Sequence, residues 1–269
     1  MTIPLEDTFA DIIGKAMRGL KMTDSQVAAA AGASPEQFER LKSGEWDEMT
    51  ARNAAPVLGL NAEALSALGN HAYAPEPVAI DGLAQFNTPY EDMTVNAYLV
   101  WDPASREAVA FDTGADVSDQ LLLIAEKKLT LSLILLTHTH GDHIFDLDRL
   151  KEKTDAPAFV CERERLDGAE SFKPGRKFSA GALQIESRLT WGHSPGGITY
   201  VISGLSRPVA IVGDAVFAGS MGGGGISYEA ALGTNRDEIL TLPGETILCP
   251  GHGPMTSVGE EKIHNPFFA

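Results

Sequence analysis

The chain has 269 residues, 43% of them hydrophobic and 22% charged, which is enough apolar material for a sizeable core and excludes a disordered, collagenous or fibrous protein. Lys and Arg total 21 against 37 Asp and Glu, and the net charge of −16 opposes polyanions, so neither nucleic acid nor an anionic membrane surface is an expected partner. The longest nearly unbroken apolar stretch, residues 129–136, contains Thr130 and Ser132 and falls far short of the roughly 20 residues that cross a bilayer.

Glu6, Asp7 and Asp11 at the front of the chain, with no basic flank before an apolar run, give no secretory leader, so a cytoplasmic protein is expected. Residues 1–70 show helical texture. Helices are predicted over 8–20, 48–58 and 61–68, the last capped by Asn61. Two more open on capping boxes, Thr23 with Gln26, and Ser34 with Pro35 and Gln37, and Gly32 lies between them. The result is a bundle of five short helices. Residues 72–78, with Pro75 and Pro77, suit an extended linker and divide the chain into a helical domain, 1–71, and a second domain, 72–269. Beyond it, β-branched and aromatic runs predict strands at 97–101, 108–111, 132–136, 158–161, 183–185, 199–202 and 209–212. Helical patterns at 118–127 and 145–153 fall between some of them, and this alternation argues a layered α/β fold. Cys161 and Cys249 lack the spacing of a redox pair or a zinc knuckle and are read as buried thiols.

Five of the seven histidines fall in three short glycine-rich segments. The strand predicted to end at Leu136 leads into Thr137, His138, Thr139, His140, Gly141, Asp142 and His143. His193 follows in a Gly-His-Ser-Pro-Gly-Gly run, Asp214 follows Gly213 at another strand end, and His252 lies in Gly-His-Gly-Pro after a third. Imidazole nitrogen and carboxylate oxygen are ligands suited to zinc and iron(II), and strand ends can aim them at one point. His138, His140, Asp142, His143, His193, Asp214 and His252 are therefore the candidate metal residues.

The ordered motifs THTHGDH, GHSPGG, GD and GHGP resemble the metallo-β-lactamase superfamily, and most closely its glyoxalase II-like branch, over residues 78–269. The C-terminal run from Thr256 to Lys262, followed by Asn265, Pro266 and Phe267, also looks like that branch. The resemblance implies an αββα sandwich with the metal site along one edge. It implies that His138, His140 and His193 hold one divalent ion, that Asp142, His143 and His252 hold a second, and that Asp214 bridges them. Zinc is the expected metal, with iron or manganese as alternatives. Two such ions lower the pKa of a bridging water from about 15.7 to about 7, and the resulting hydroxide is the expected nucleophile toward a thioester or activated ester of a small acid, as in hydroxyacylglutathione hydrolases. Asp142 is the candidate catalytic residue, orienting that hydroxide or accepting its proton. No G-x-S-x-G elbow offers a serine nucleophile.

Residues 219–225 depart from the branch, because glyoxalase-like relatives usually carry an Arg there and this chain has Gly, Ser, Met and a glycine run. With 17 residues after His252, the helical region with which true glyoxalase II helps bind glutathione is not expected, and Phe145 in place of a frequent glycine would narrow the pocket. Residues 22–44 resemble a phage-repressor helix-turn-helix through Thr23, Val27, Ala28, Ala31, Gly32, Ser34, Phe38, Leu41 and Gly44. Its surface is wrong for DNA: Asp24 and Glu36 occupy contact positions, and residues 1–70 hold six Lys/Arg against ten Asp/Glu, a net of −4. A packing, dimerising or active-site-covering role is expected instead, with a homodimer as one outcome and a small molecule as the substrate. Two alternatives stand beside the hydrolase. One is a mononuclear iron persulfide dioxygenase using His138, His193 and Asp214; the other is a metabolite-sensing DNA-binding regulator.

Overall fold

Thr8, Thr23 and Ser34 each close a reciprocal capping box, with Asp11, Gln26 and Gln37, and so start α1 (Phe9–Leu20), α2 (Asp24–Ala31) and α3 (Pro35–Lys42). Asp47 and Asn61 cap α4 (Glu48–Val57) and α5 (Ala62–Gly69) through their side chains. The computed structural model describes residues 3–269. In it the small side chains of α2 and α4, Ala28, Ala31, Ala51, Ala54 and Ala55, are buried and let the helices approach closely. Ile12, Ile13, Phe38, Leu41 and Leu65 fill the centre, and burying each contributes about 1.5–3 kcal/mol. This core extends beyond the helices, since Met221, Ala231 and Phe267 pack into it. After α5 the chain runs without regular structure, as residues 72–78 predict, but Tyr73 is buried and its hydroxyl donates to Glu261 at 3.2 Å.

Two six-stranded sheets follow. The first is ordered along the chain as β1 (Leu83–Tyr90), β2 (Met93–Trp101), β3 (Glu107–Phe111), β4 (Thr130–Leu135), β5 (Ala158–Cys161) and β6 (Glu170–Phe172). β1 to β3 pair antiparallel and β3 to β6 parallel. The parallel crossovers carry α6 (Ser118–Lys127), the single turn α7 (Gly141–Ile144) and α8 (Leu147–Thr154). The second sheet runs β7 (Lys177–Ala180), β8 (Leu183–Leu189), β9 (Ile198–Ser203), β10 (Val209–Gly213), β11 (Ile247–Pro250) and β12 (Thr256–Ser257). Only β10 and β11 pair parallel; between them lie α9 (Tyr228–Thr234) and a π-helical turn (Asn235–Ile239), and α10 (Val258–His264) follows β12. Tyr98, Phe111, Leu135, Ile185, Tyr200, Ile211 and Ile247 interleave between the sheets, while Leu150, Leu131 and Ile134 seat α8 on the outer face of the first. This is the expected αββα sandwich preceded by a helical region.

Every predicted strand is present, and the differences lie elsewhere. β1 carries Gln85, Asn87 and Pro89 and is half-buried, as suits an edge strand, so its composition hides it. The helix predicted over 145–153 starts two residues later, as α8, because Asp146 stands outside the helical conformation and accepts the Val117 N–H at 3.0 Å, which also separates α8 from the turn α7. Among the described residues no helix is long and apolar enough to cross a membrane.

Candidate metal centre

The seven candidate residues converge at one edge of the sandwich. β4 ends at Leu135 and delivers His138 and His140, α7 presents Asp142 and His143, the turn before β9 carries His193, β10 ends beside Asp214, and the loop after β11 carries His252. His138 Nε2 and His193 Nε2 each lie 3.0 Å from His140 Nδ1. On the other side, Asp142 Oδ2 is 3.3 Å from His252 Nε2 and 3.6 Å from His143 Nε2. Asp214 stands between the two sets. Its Oδ1 is 3.3 Å from His143 Nε2, and its Oδ2 is 3.3 Å from His193 Nε2 and 3.5 Å from His252 Nε2. Two groups thus have ligand atoms within 4.8 Å of one another, His138–His140–His193–Asp214 and Asp142–His143–His252.

The ring orientations are fixed from behind. His138 Nδ1 donates to Thr137 Oγ1 at 3.0 Å, and that hydroxyl donates to Asp112 Oδ2 at 2.7 Å. His143 Nδ1 donates to Asp112 at 2.9 Å, His193 Nδ1 to the Gly223 carbonyl at 2.9 Å, and His252 Nδ1 to the Thr94 carbonyl at 2.7 Å. With Nδ1 protonated, each of these four rings turns a lone pair on Nε2 toward the centre, the arrangement that backs metal-bound histidines. Gly251 allows the closeness, since a methyl group there would overlap Asp214 Oδ1.

A divalent cation fits this donor set. His143 Nε2 and Asp214 Oδ1 are buried and face each other at 3.3 Å without a well-formed hydrogen bond, a costly state unless a positive charge, a proton or a metal ion, is shared between them. Three imidazole nitrogens about 3 Å apart cannot all be satisfied by protons, whereas tetrahedral coordination at about 2.0–2.1 Å separates ligands by a little more than that. The electrostatics agree. Burial and the neighbouring His143 push His138 well below the ordinary imidazole range, and burial lowers His193. Burial would also lower His143 and His252, but Asp214 raises them to about 10 and about 11, with help from Asp112 and Asp142 respectively. Asp214, despite burial, is held well below the usual carboxylate range by His143 and His252. The centre demands positive charge.

Several supporting residues carry no sequence signal of their own. Asp112 ends β3 in the left-handed region at φ 56° and accepts from the Thr137 N–H and hydroxyl, both at 2.7 Å, and from His143. Its place at a strand end, like the candidate ligands, is the clue that could have found it. Buried Glu164 accepts from the Thr139 N–H at 2.6 Å and the Gly196 N–H at 2.8 Å, joining the two loops that carry His138 and His193. Asn96 donates to the Pro250 and Gly253 carbonyls at 2.9 and 2.8 Å and holds the turn around His252. Phe145 is 66% exposed, and its ring stands edge-on to Tyr90 at 5.5 Å.

Comparison with known proteins agrees with this geometry. Residues 90–252 match the Metallo-beta-lactamase superfamily. The probable metallo-hydrolase YqgX of Bacillus subtilis is 33% identical over 205 residues, covering 66% of this chain and 94% of that protein. The hydroxyacylglutathione hydrolase GloC of Haemophilus influenzae is 29% identical over 197 residues, 64% of this chain and 92% of GloC. The crystal structure of ETHE1 from Myxococcus xanthus aligns with a TM-score of 0.59 at 28% identity, covering 68% of this chain and 83% of that one. With its sandwich, its His/Asp centre and the match over residues 90–252, the chain belongs to the metallo-β-lactamase superfamily of metal-dependent hydrolases.

Proposed function

We propose that the chain hydrolyses a thioester or activated ester of a small acid with two divalent ions, zinc first among them. His138, His140 and His193 would hold one, Asp142, His143 and His252 the other, and Asp214 both. The observation that carries this reading is Asp214, whose two oxygens face both groups of ligand atoms from between them. When bound, such ions supply Lewis acidity toward a carbonyl and acidify water toward neutral pH. The chain supplies the rest. Burial raises Asp142, but the neighbouring His252 and His143 outweigh it, so the carboxylate stays ionised, an acceptor able to orient the attacking water and take its proton. Asp112, Thr137, Gly223 and Thr94 hold the rings in the tautomer that leaves Nε2 free. Neither cysteine is a nucleophile, since both are buried and burial raises both thiols. The resemblance of GloC supports the thioester as substrate class.

The likeness to ETHE1 favours one second reading, the mononuclear iron persulfide dioxygenase on His138, His193 and Asp214. The experiment is metal analysis of protein purified without added metal, beside turnover of a generic thioester by wild type and Asp214→Ala. About two zinc per chain and turnover lost in a folded variant support the hydrolase. One iron per chain, with oxygen uptake on a persulfide, supports the alternative.

A further inference from the structure

The cleft over the histidine cluster has a volume of about 620 Å³, within the range of small-molecule sites. Its two walls come from opposite ends of the chain. Lys15, Arg18 and Gly19 of α1 form one, the glycine run 223–225 forms the other, and His140 and His193 line it as well. The helical region is therefore part of the site.

α1 is held firmly there. A methyl group at Gly19 would overlap the Tyr228 ring, so glycine lets α1 lie directly on α9. Lys15 pairs with Asp7 and donates to the Met221 carbonyl at 2.8 Å, which ties α1 to the loop that carries the glycine run. The Lys15 charge is thereby matched. Arg18, one turn further along the same helix, is exposed in the cleft and has no ion pair or side-chain hydrogen bond among the described residues. Residues 219–225 bring no cation of their own, but the N–H groups of Gly223 and Gly224 donate to no protein acceptor among the described residues. One unmatched guanidinium, beside free backbone donors, in a protein of net charge −16, suits a singly charged carboxylate better than a polyanion.

We propose that Arg18 is the specificity residue of this site and that the substrate carries a carboxylate at the far end of its acyl group, bound by the guanidinium while the scissile carbonyl lies at the histidine cluster. This rests on the hydrolase reading above. The helical region would then supply in α1 the cation that residues 219–225 lack.

The test compares two thioesters of N-acetylcysteamine that differ only at the acyl terminus, S-glutaryl with a carboxylate and S-pentanoyl with a methyl group. Wild type should prefer the glutaryl ester by about tenfold in kcat/KM, the scale of one charge-assisted pair. Arg18→Gln should erase the preference through KM for the glutaryl ester, Arg18→Lys should keep part of it, and added salt should weaken it. A preference that survives Arg18→Gln, or no preference in wild type, overturns the proposal. If neither thioester is turned over, the hydrolase reading fails, and calorimetric binding of glutarate to wild type and Arg18→Gln decides for Arg18 alone. Binding lost in the variant supports the anion site; equal binding, or none to wild type, overturns it.

Discussion

The ring of His193 donates through Nδ1 to the carbonyl of Gly223 at 2.9 Å, so a candidate metal ligand takes its tautomer from a glycine loop rather than from a rigid strand. That loop is held two residues earlier by Lys15, through the Met221 carbonyl, and Lys15 is in turn held by Asp7, which accepts from Ser220 at 2.6 Å. The N-terminal helices thus reach the centre through one half-buried ion pair. Lys15→Met leaves the half-buried Asp7 without its counter-ion and should destabilise the fold by about 1–2 kcal/mol. Urea unfolding of Lys15→Met and of the double variant Asp7→Asn/Lys15→Met checks this. The double variant should recover much of the loss, and a Lys15→Met variant as stable as wild type would show that the pair is not structural.

Asp112 touches two ring systems at once, His143 directly and His138 through Thr137. Removing such a backing carboxylate typically lowers metal affinity by about 10–100-fold. Asp112→Asn should therefore bind zinc more weakly in competition with a chromophoric chelator while its far-ultraviolet spectrum stays that of wild type. Unchanged affinity would mean that the rings are oriented without it.

Glu261 of α10 is fully buried and accepts from Thr256 and Asn265 at 2.7 Å and from the Gly219 N–H at 3.0 Å. Burial outweighs these donors and raises its carboxyl from the ordinary 4.5 to about 7. The folded chain therefore holds this proton more tightly than the unfolded one. Its contribution is complete below about pH 4.5 and is lost as pH rises to about 7, a change of about 3 kcal/mol. Denaturant unfolding across that window should show the slope in wild type, and Glu261→Gln should flatten it. A variant with the same slope would place the titration elsewhere.

The candidate centre was nearly all legible in the sequence, because each ligand-type residue ends a strand or opens a turn, and strand ends of one sandwich edge meet. Strands with β-branched cores, such as β4 and β10, were legible for the same reason that they are buried. β1, β6, β7 and β12 were not, since they are short or rich in polar residues, those of β1 being half-buried and hydrogen-bonded to β2 and the loop around Gly253, and their pairing is set by the rest of the sheet. Glu164 and Lys15 were not legible as site residues either, and Asp112 only by its place at a strand end. Each acts through a contact with a loop or ring remote along the chain, which no local spacing records.

The helical region carries Asp24 and Glu36 on the face that a helix-turn-helix would turn to DNA, and Asp24 holds Lys42 at 2.7 Å, removing one of its few cations. We expect no duplex binding. Fluorescence anisotropy of a labelled duplex with the full chain at two salt concentrations checks it, because even non-specific readers bind at about 10⁻⁴ to 10⁻⁶ M and weaken steeply with salt. Micromolar, salt-sensitive binding would revive the regulator.

The two-ion hydrolase is tested most directly by adding zinc stepwise to metal-free protein while following thioester turnover and bound metal together. Turnover should rise to its plateau only as the second equivalent binds, with Asp214→Ala staying inactive at every ratio. A plateau at one equivalent, or turnover by the variant near that of wild type, would contradict the account.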